Sequence, residues 1–280
     1  MDADPTIAPG GATVPPHAAP SQGGPLYFLH IPKTAGTSLA AWLESQFPAD
    51  AVCPWRTLQQ ILAAPRDRLA RYRLFAGHLG MYLPRLMSAR VAIVTMLRDP
   101  LSRSVSHYRD IVARVLHPLH ARVRAMSFEE FVHSTLGEAE LLNLQCRYLA
   151  LDDIEADYDA HHRSFASDPC ALRAKYTDSA LLSRAFANLK TFECVGVCER
   201  ADEAAAAIAR RFGWPAPGPL ARLNGATSPF DARDLTPKAI QRVRDLTAMD
   251  RELYEAVAFA ARVRPSGSLG RSAVPTHIPS

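Results

Sequence analysis

Lysine is nearly missing from this chain. Of 32 basic residues in 280, four are lysine, at positions 33, 175, 190 and 238. The arginine and alanine excess is what a coding bias produces and carries no functional weight, but it leaves Lys33 conspicuous. Long apolar runs are missing too: the longest, such as Val91 to Leu97, fall far short of the roughly 20 residues a membrane-spanning helix needs. Cysteine is sparse. Cys53, Cys146, Cys170, Cys194 and Cys198 form an odd set with no C-x-x-C, which argues against a zinc site and for a reducing compartment. Nor does charge of one sign dominate. The net charge of +4, from 32 basic and 28 acidic residues, suits an anionic ligand without demanding nucleic acid. What remains is a globular composition, 48% hydrophobic and 21% charged, long enough for one large α/β domain or two small ones.

The stretch around which the chain is organised runs from Tyr27 to Leu43. An apolar run, Leu26 to Ile31, breaks at Pro32, crosses Lys33-Thr34-Ala35-Gly36-Thr37-Ser38, and re-enters an apolar pattern with Leu39, Trp42 and Leu43 on one helical face. This is strand, tight loop, helix. The N-terminus of a helix offers unpaired N–H groups and the positive end of its dipole, so the loop is suited to a phosphate or sulfate. The plain alternative is an ordinary turn in which Thr37 or Ser38 caps the helix and Lys33 is solvated. The nucleotide P-loop order G-x-x-x-x-G-K-[ST] is not followed, because Lys33 precedes Gly36, so an ordinary ATPase is disfavoured.

Along the chain, strands alternate with helices, which predicts a mostly parallel sheet covered by helices on both faces, an α/β, P-loop-like three-layer fold. Residues 1–24, rich in Pro, Gly and Ala with no basic start or apolar core, read as a disordered tail rather than a signal peptide. The folded domain is expected over 25–262, with a second tail over 263–280. Thr57 to Tyr72 predicts one or two short helices interrupted at Pro65, and Arg73 to Gly80 a short strand with His78 at its end. Val91 to Leu97 is the strongest strand, apolar on both faces. Asp99 and Pro100 then suit the cap and first turn of a helix from Leu101 to about Arg114. Ser127 to Glu130 is a capping box. Glu138 to Leu149 predicts one helix, 152–174 a polar surface excursion, Asp178 to Leu189 a helix, and Phe192 to Val197 a further strand. Ala201 to Phe212 is a helix stopped by Gly213 and Pro215, 215–235 a Pro/Gly/Asn loop, and Thr236-Pro237 opens one last long helix carrying Ile240, Val243, Leu246, Leu253 and Val257.

Two further places invite chemistry. Arg98 leaves its strand where the next helix begins, and Ser106 follows eight residues later, about two helical turns on and so on roughly the same face. An arginine fork there, with the serine hydroxyl, suits a second phosphate; the plain alternative is a helix start with Ser106 solvated. His78 stands at a strand end beside Gly77 and Gly80, where open α/β sheets carry ligands, and its ordinary pKa suits it to take a proton near neutral pH. His107, beside the second anion site, is its rival, and His30 is expected to pack in the sheet.

Leu29-His30-Ile31-Pro32-Lys33-Thr34-Ala35-Gly36-Thr37-Ser38, then Gly77-His78, then Leu97-Arg98-Asp99-Pro100-x-x-Arg103-x-x-Ser106-x-Tyr108, closely resembles the sulfotransferases that use 3′-phosphoadenosine 5′-phosphosulfate (PAPS). Within that family the sequence resembles bacterial members and the heparan, dermatan and chondroitin uronosyl 2-O-sulfotransferases. Asn143-x-Gln145-x-Arg147-Tyr148-Leu149, Val195 to Arg200 and Leu223-Asn224 sit where similar bacterial sequences carry comparable segments. The resemblance implies that Lys33, Thr34, Ala35, Gly36, Thr37 and Ser38 cradle the 5′-phosphosulfate, that Arg98 and Ser106 bind the 3′-phosphate, and that His78 is the catalytic base assisted by Lys33, with PAP as product and no metal. A carbohydrate-like or other small hydroxyl acceptor follows, with Asn143, Gln145 and Arg147 as one candidate wall. No nucleic acid partner and no membrane span are expected, and because anchored Golgi relatives carry a membrane segment that this chain lacks, a cytoplasmic location is implied. The loop Asn224-Gly225-Ala226-Thr227-Ser228-Pro229 lacks the lysine that some relatives place near the nucleotide. A P-loop kinase-like phosphotransferase and a non-catalytic PAP(S)-binding protein are the alternatives. The kinase would need Mg²⁺ and an acidic residue where Val91 to Leu97 ends in Arg98.

Overall fold

The computed structural model describes residues 24–153, 158–159, 164–165, 169–221 and 235–263. The two expected tails, the Leu223-Asn224 segment with the loop that follows it, and much of the 152–174 excursion lie outside the described residues.

Four short strands form the central sheet: β1 (Leu26–Leu29), β2 (Leu74–Gly77), β3 (Ala92–Leu97) and β6 (Cys194–Val197). All pair in parallel, in the order β2-β1-β3-β6. A separate antiparallel ladder joins β4 (Tyr158–Asp159) to β5 (Ser164–Phe165). Helices α1 (Gly36–Glu44), α2 (Leu58–Ala63) and α3 (Arg66–Leu69) connect β1 to β2, and α4 (Tyr82–Leu86) lies between β2 and β3. From β3 the chain enters α5 (Pro100–Ala113), then α6 (His120–Val123), α7 (Phe128–His133), α8 (Thr135–Leu141) and α9 (Leu144–Ala150). Helices α10 (Pro169–Lys175) and α11 (Asp178–Leu189) precede β6; α12 (Ala201–Phe212), α13 (Pro237–Leu246) and α14 (Ala248–Val263) follow it.

Successive strand residues point to opposite faces, so a strand apolar throughout feeds two cores. Leu26, Phe28, Leu74, Ala76, Val94, Met96 and Cys194 pack with Leu39 and Leu43 of α1, with Ala205, Ile208 and Ala209 of α12, and with Trp214. Their strand neighbours Tyr27, Leu29, Phe75, Ile93, Leu97, Val195 and Val197 face the other way, into a larger core that includes Ile111 of α5, Leu149 of α9, Leu189 of α11 and Leu253 of α14. The chain is therefore α/β, with helices on both faces of an all-parallel sheet. It turns one way from β1 to β2 and the other way from β2 to β3, while α1 and α5 pack on opposite faces. That arrangement opens a crevice beyond the carboxyl ends of β1 and β3, where open sheets of this type take ligands.

Several boundaries follow the expected local chemistry. Asp99 accepts from Ser102 N at 2.8 Å with Pro100 opening α5, the Ser127/Glu130 capping box starts α7, Thr236 caps α13, and Gly213 ends α12 at φ 71°. Two expected single helices are instead broken. The Glu138 to Leu149 pattern divides into α8 and α9 at Asn143, which is left-handed at φ 42°, and the last long helix divides into α13 and α14 at Thr247. The breaks meet. Asn143 Oδ1 accepts from Met249 N at 2.9 Å and Asp250 N at 3.4 Å, while the Asp250 carboxylate accepts from Gln145 N at 3.1 Å and Cys146 N at 2.8 Å. Each helix start is thus capped by a side chain of the other, which supplies the partners that a continuous helix would have given those N–H groups. The polar excursion also holds α10, a helix that the sequence pattern does not announce.

Candidate active site at the β1 and β3 strand ends

Between β1 and α1 the backbone is left-handed at Lys33 (φ 70°) and Ala35 (φ 60°), a conformation that costs a non-glycine residue about 1–3 kcal/mol and persists where its surroundings impose it. Left-handed residues set alternately in a loop curl consecutive N–H groups into an anion-binding concavity. Thr34, between them, is fully buried and spends its hydroxyl on the Ile31 carbonyl at 2.9 Å, locking the turn. The cap position of α1 is Ala35, with no side-chain cap. Neither Thr37 nor Ser38 occupies it, so the ordinary-turn alternative does not describe this helix start. Gly36 is required here: a Cβ would stand 2.0 Å from the His30 imidazole.

His30 is stacked on Phe28 at 5.3 Å and lies 4.5 Å, centroid to centroid, from His78. It lines the cavity rather than disappearing into the sheet. His78 Nδ1 is 2.7 Å from the His30 carbonyl oxygen. A carbonyl can only accept, so Nδ1 carries the proton and Nε2 keeps its lone pair. Burial holds the His78 pKa below its ordinary value; the bond to His30 opposes this, and the Lys33 and Arg114 charges add to it. The imidazole is therefore neutral near pH 7. The backbone beneath it is fixed, with His78 N donating to the Arg56 carbonyl at 2.7 Å. Gly77 permits that approach, since a Cβ there would meet the Arg56 carbonyl oxygen at 2.4 Å.

Arg98, at the end of β3, donates through Nη1 to the Lys33 carbonyl at 3.1 Å, so the two anion candidates are joined. Its own peptide is gripped at two points: Arg98 N donates to Gln145 Oε1 at 3.0 Å, and Gln145 Nε2 donates to the Arg98 carbonyl at 2.9 Å. One cavity of about 1120 Å³ is lined by Lys33, Ala35, Gly36, Thr37, Ser38, His78, Arg98 and Ser106. The residues singled out from two separate strand ends thus face a common space. His107 lines it too, but its Nε2 is 2.8 Å from Glu140. Glu140 stays ionised: burial would raise its pKa, and His107, Arg147 and His117 together more than offset that.

Four candidates do not belong to the cavity wall: Thr34, fully buried with its hydroxyl spent on the Ile31 carbonyl, and three residues further along the chain. Asn143, Gln145 and Arg147 are 4%, 0% and 0% exposed, and their polar atoms serve the fold. Asn143 caps α14, Gln145 holds Arg98, and Arg147 Nη2 donates to the Ala139 carbonyl at 2.9 Å. They are a buried brace, not an acceptor surface. Asp110 went unnoticed in the sequence although it lies four residues after Ser106, one helical turn on. Its Oδ1 is 3.0 Å from Lys33 Nζ and its Oδ2 3.1 Å from Arg114 Nη1. Burial would raise its pKa, but the bonds and charges of Lys33 and Arg114 prevail and keep it below the ordinary carboxylate value. Cys198 stands just beyond β6 on the cavity wall. Among the described residues no group of His, Cys, Asp and Glu is arranged to hold a metal ion, and no helix is long and apolar enough to cross a membrane.

No protein-family model matches the chain. Over 99 residues it is 32% identical to a protein-tyrosine sulfotransferase of Arabidopsis thaliana, a similarity that takes in 33% of this chain and 19% of that protein. The chain therefore spans about a fifth of that relative's length, and the similarity supports a link to sulfotransferases.

Proposed function

We propose that the protein is a sulfotransferase that moves a sulfuryl group from PAPS to a hydroxyl. The observation that carries this is the single cavity into which the Lys33 loop, Arg98 with Ser106, and a neutral His78 all open. Its volume and its two cationic corners fit a nucleotide bearing two separated anionic groups. The partial similarity to a sulfotransferase supports the same reading. When bound, PAPS supplies an activated sulfuryl group. Lys33 and the N–H groups of Gly36 to Ser38 bind the 5′ end and offset negative charge there. Arg98 and Ser106 bind the 3′-phosphate. His78 Nε2 takes the proton of the acceptor hydroxyl, while its Nδ1–H bond to the His30 carbonyl fixes the ring. Positioning and charge stabilisation supply most of the catalysis, as in phosphoryl transfer.

The acceptor is a carbohydrate-like or other small hydroxyl compound, as in the bacterial and uronosyl 2-O-sulfotransferases that the sequence resembles. A tyrosine phenol, named in the plant relative, belongs in the same screen. The testing experiment is calorimetric titration with PAP, with ADP as control, on wild type and Arg98→Ala. Tight PAP binding that is largely lost in the variant, with weak ADP binding, is the expected result; a folded wild type that ignores PAP overturns the reading.

A further inference from the structure

We propose that Asp110 is a positioning residue that holds the Lys33 ammonium and competes with the nucleotide for it, so that it governs how readily the spent nucleotide leaves. The proposal rests on the PAPS reading above. Lys33 is the lysine of the cavity, and its Nζ is already engaged, 3.0 Å from Asp110 Oδ1. Both side chains are about one-fifth exposed, so the pair is screened less than a surface ion pair would be. The second Asp110 oxygen is held by Arg114, four residues on at the C-cap of α5, which sets the carboxylate's direction. Arg98 meanwhile fixes the Lys33 carbonyl. The backbone of Lys33 and its ammonium are thus held by different residues, and the ammonium can exchange partners while the loop stays still.

An ionised carboxylate in a cavity that takes a polyanion weakens binding, which makes it a poor choice for a residue whose task is only to bind. It suits a site that must also release. A 5′-phosphate entering the loop draws Lys33 from Asp110; once the sulfuryl group has gone, Asp110 is in place to take the ammonium back. The same contact keeps Lys33 from an arbitrary rotamer between turnovers, which is the positioning part of the role.

The test is calorimetric PAP titration and steady-state sulfuryl transfer for wild type, Asp110→Asn and Asp110→Glu, each checked for cooperative unfolding. Asp110→Asn is expected to bind PAP about tenfold tighter, about 1.4 kcal/mol, with kcat lowered because release becomes limiting. Asp110→Glu is expected to return both towards wild type. A purely structural carboxylate predicts the opposite, a looser loop and weaker PAP binding. PAP affinity that is unchanged or weaker in folded Asp110→Asn overturns this proposal and leaves the PAPS reading standing. Absence of PAP binding in folded wild type overturns the PAPS reading itself, and this proposal with it.

Discussion

At the residue scale, His78 is the most exposed to test. With Nδ1 committed to the His30 carbonyl, only Nε2 can accept a proton. His78→Ala is expected to lower transfer by about 10²–10⁴-fold while PAP affinity, read by calorimetry, changes little. Intact transfer in that variant would point to His107 as the base, whereas PAP binding without transfer in wild type would point to a binding protein. The pH dependence has a definite sign. Burial depresses the pKa of both His78 and His30, so activity should persist below the ordinary histidine value of about 6.5 and fall only at the lower pH where His78 takes up its proton. Stability follows the same direction. Between the folded and unfolded pKa values the unfolded chain binds more protons, so the contribution is complete above about 6.5 and is lost as pH falls. Thermal unfolding at pH 7.5 and pH 5 checks this, with His78→Gln expected to lose less on acidification. That Lys33, His78 and Arg98 meet at one cavity was legible because each stands in a short string at a strand end, and Ser106 joins them two helical turns into α5. Asp110 was not, since a carboxylate on a helix, one turn past a serine, looks like any solvated charge.

At the scale of elements, the misread brace is instructive. Polar Asn143, Gln145 and Arg147 among leucines look like the wet face of an amphipathic helix, yet they are buried because backbone groups of other segments complete their hydrogen bonding. Periodicity reports which residues are apolar, and it is silent on polar residues whose partners lie on other segments, 106 positions on for Asn143 and 47 back for Gln145. The broken helices have the same cause, since the caps come from tertiary contacts. Gln145→Ala should therefore leave the Arg98 peptide unpaired at both ends, costing about 1–3 kcal/mol, and should weaken PAP binding although Gln145 does not line the cavity. Denaturant unfolding and calorimetry read the two effects. Gly77→Ala tests the β2 end: its Cβ would meet the Arg56 carbonyl oxygen, so His78 must shift, and activity should fall more than stability does.

At the scale of the molecule, the parallel sheet was readable because its strands are apolar on both faces. What the sequence hid is the charged centre that ties α5, α9 and α14 together. Arg103 is fully buried with no hydrogen bond to its guanidinium nitrogens among the described residues, and burial pulls its pKa down to about 10. Asp250 is the carboxylate that answers it most strongly, while also accepting from Gln145 N and Cys146 N. Removing one partner of such a buried set is far more damaging than replacing all of it. Asp250→Ala is expected to cost about 3–5 kcal/mol in chemical denaturation and to reduce PAP affinity through Gln145 and Arg98. Retention of wild-type stability would show that the centre is wetter than its burial implies.

The reciprocal caps between Asn143 and Asp250 also impose an order on the making of the protein. A ribosome completes the Lys33 loop, His78, Arg98 and Ser106 early, whereas Asp250 emerges 105 residues after the Gln145 N–H that it receives. Until then the start of α9, and through Gln145 the peptide of Arg98, has no counterpart to close against. A growing chain therefore holds Lys33, His78, Arg98 and Ser106 well before it can set them in place, and the cavity they line is braced only once Asp250 has been made.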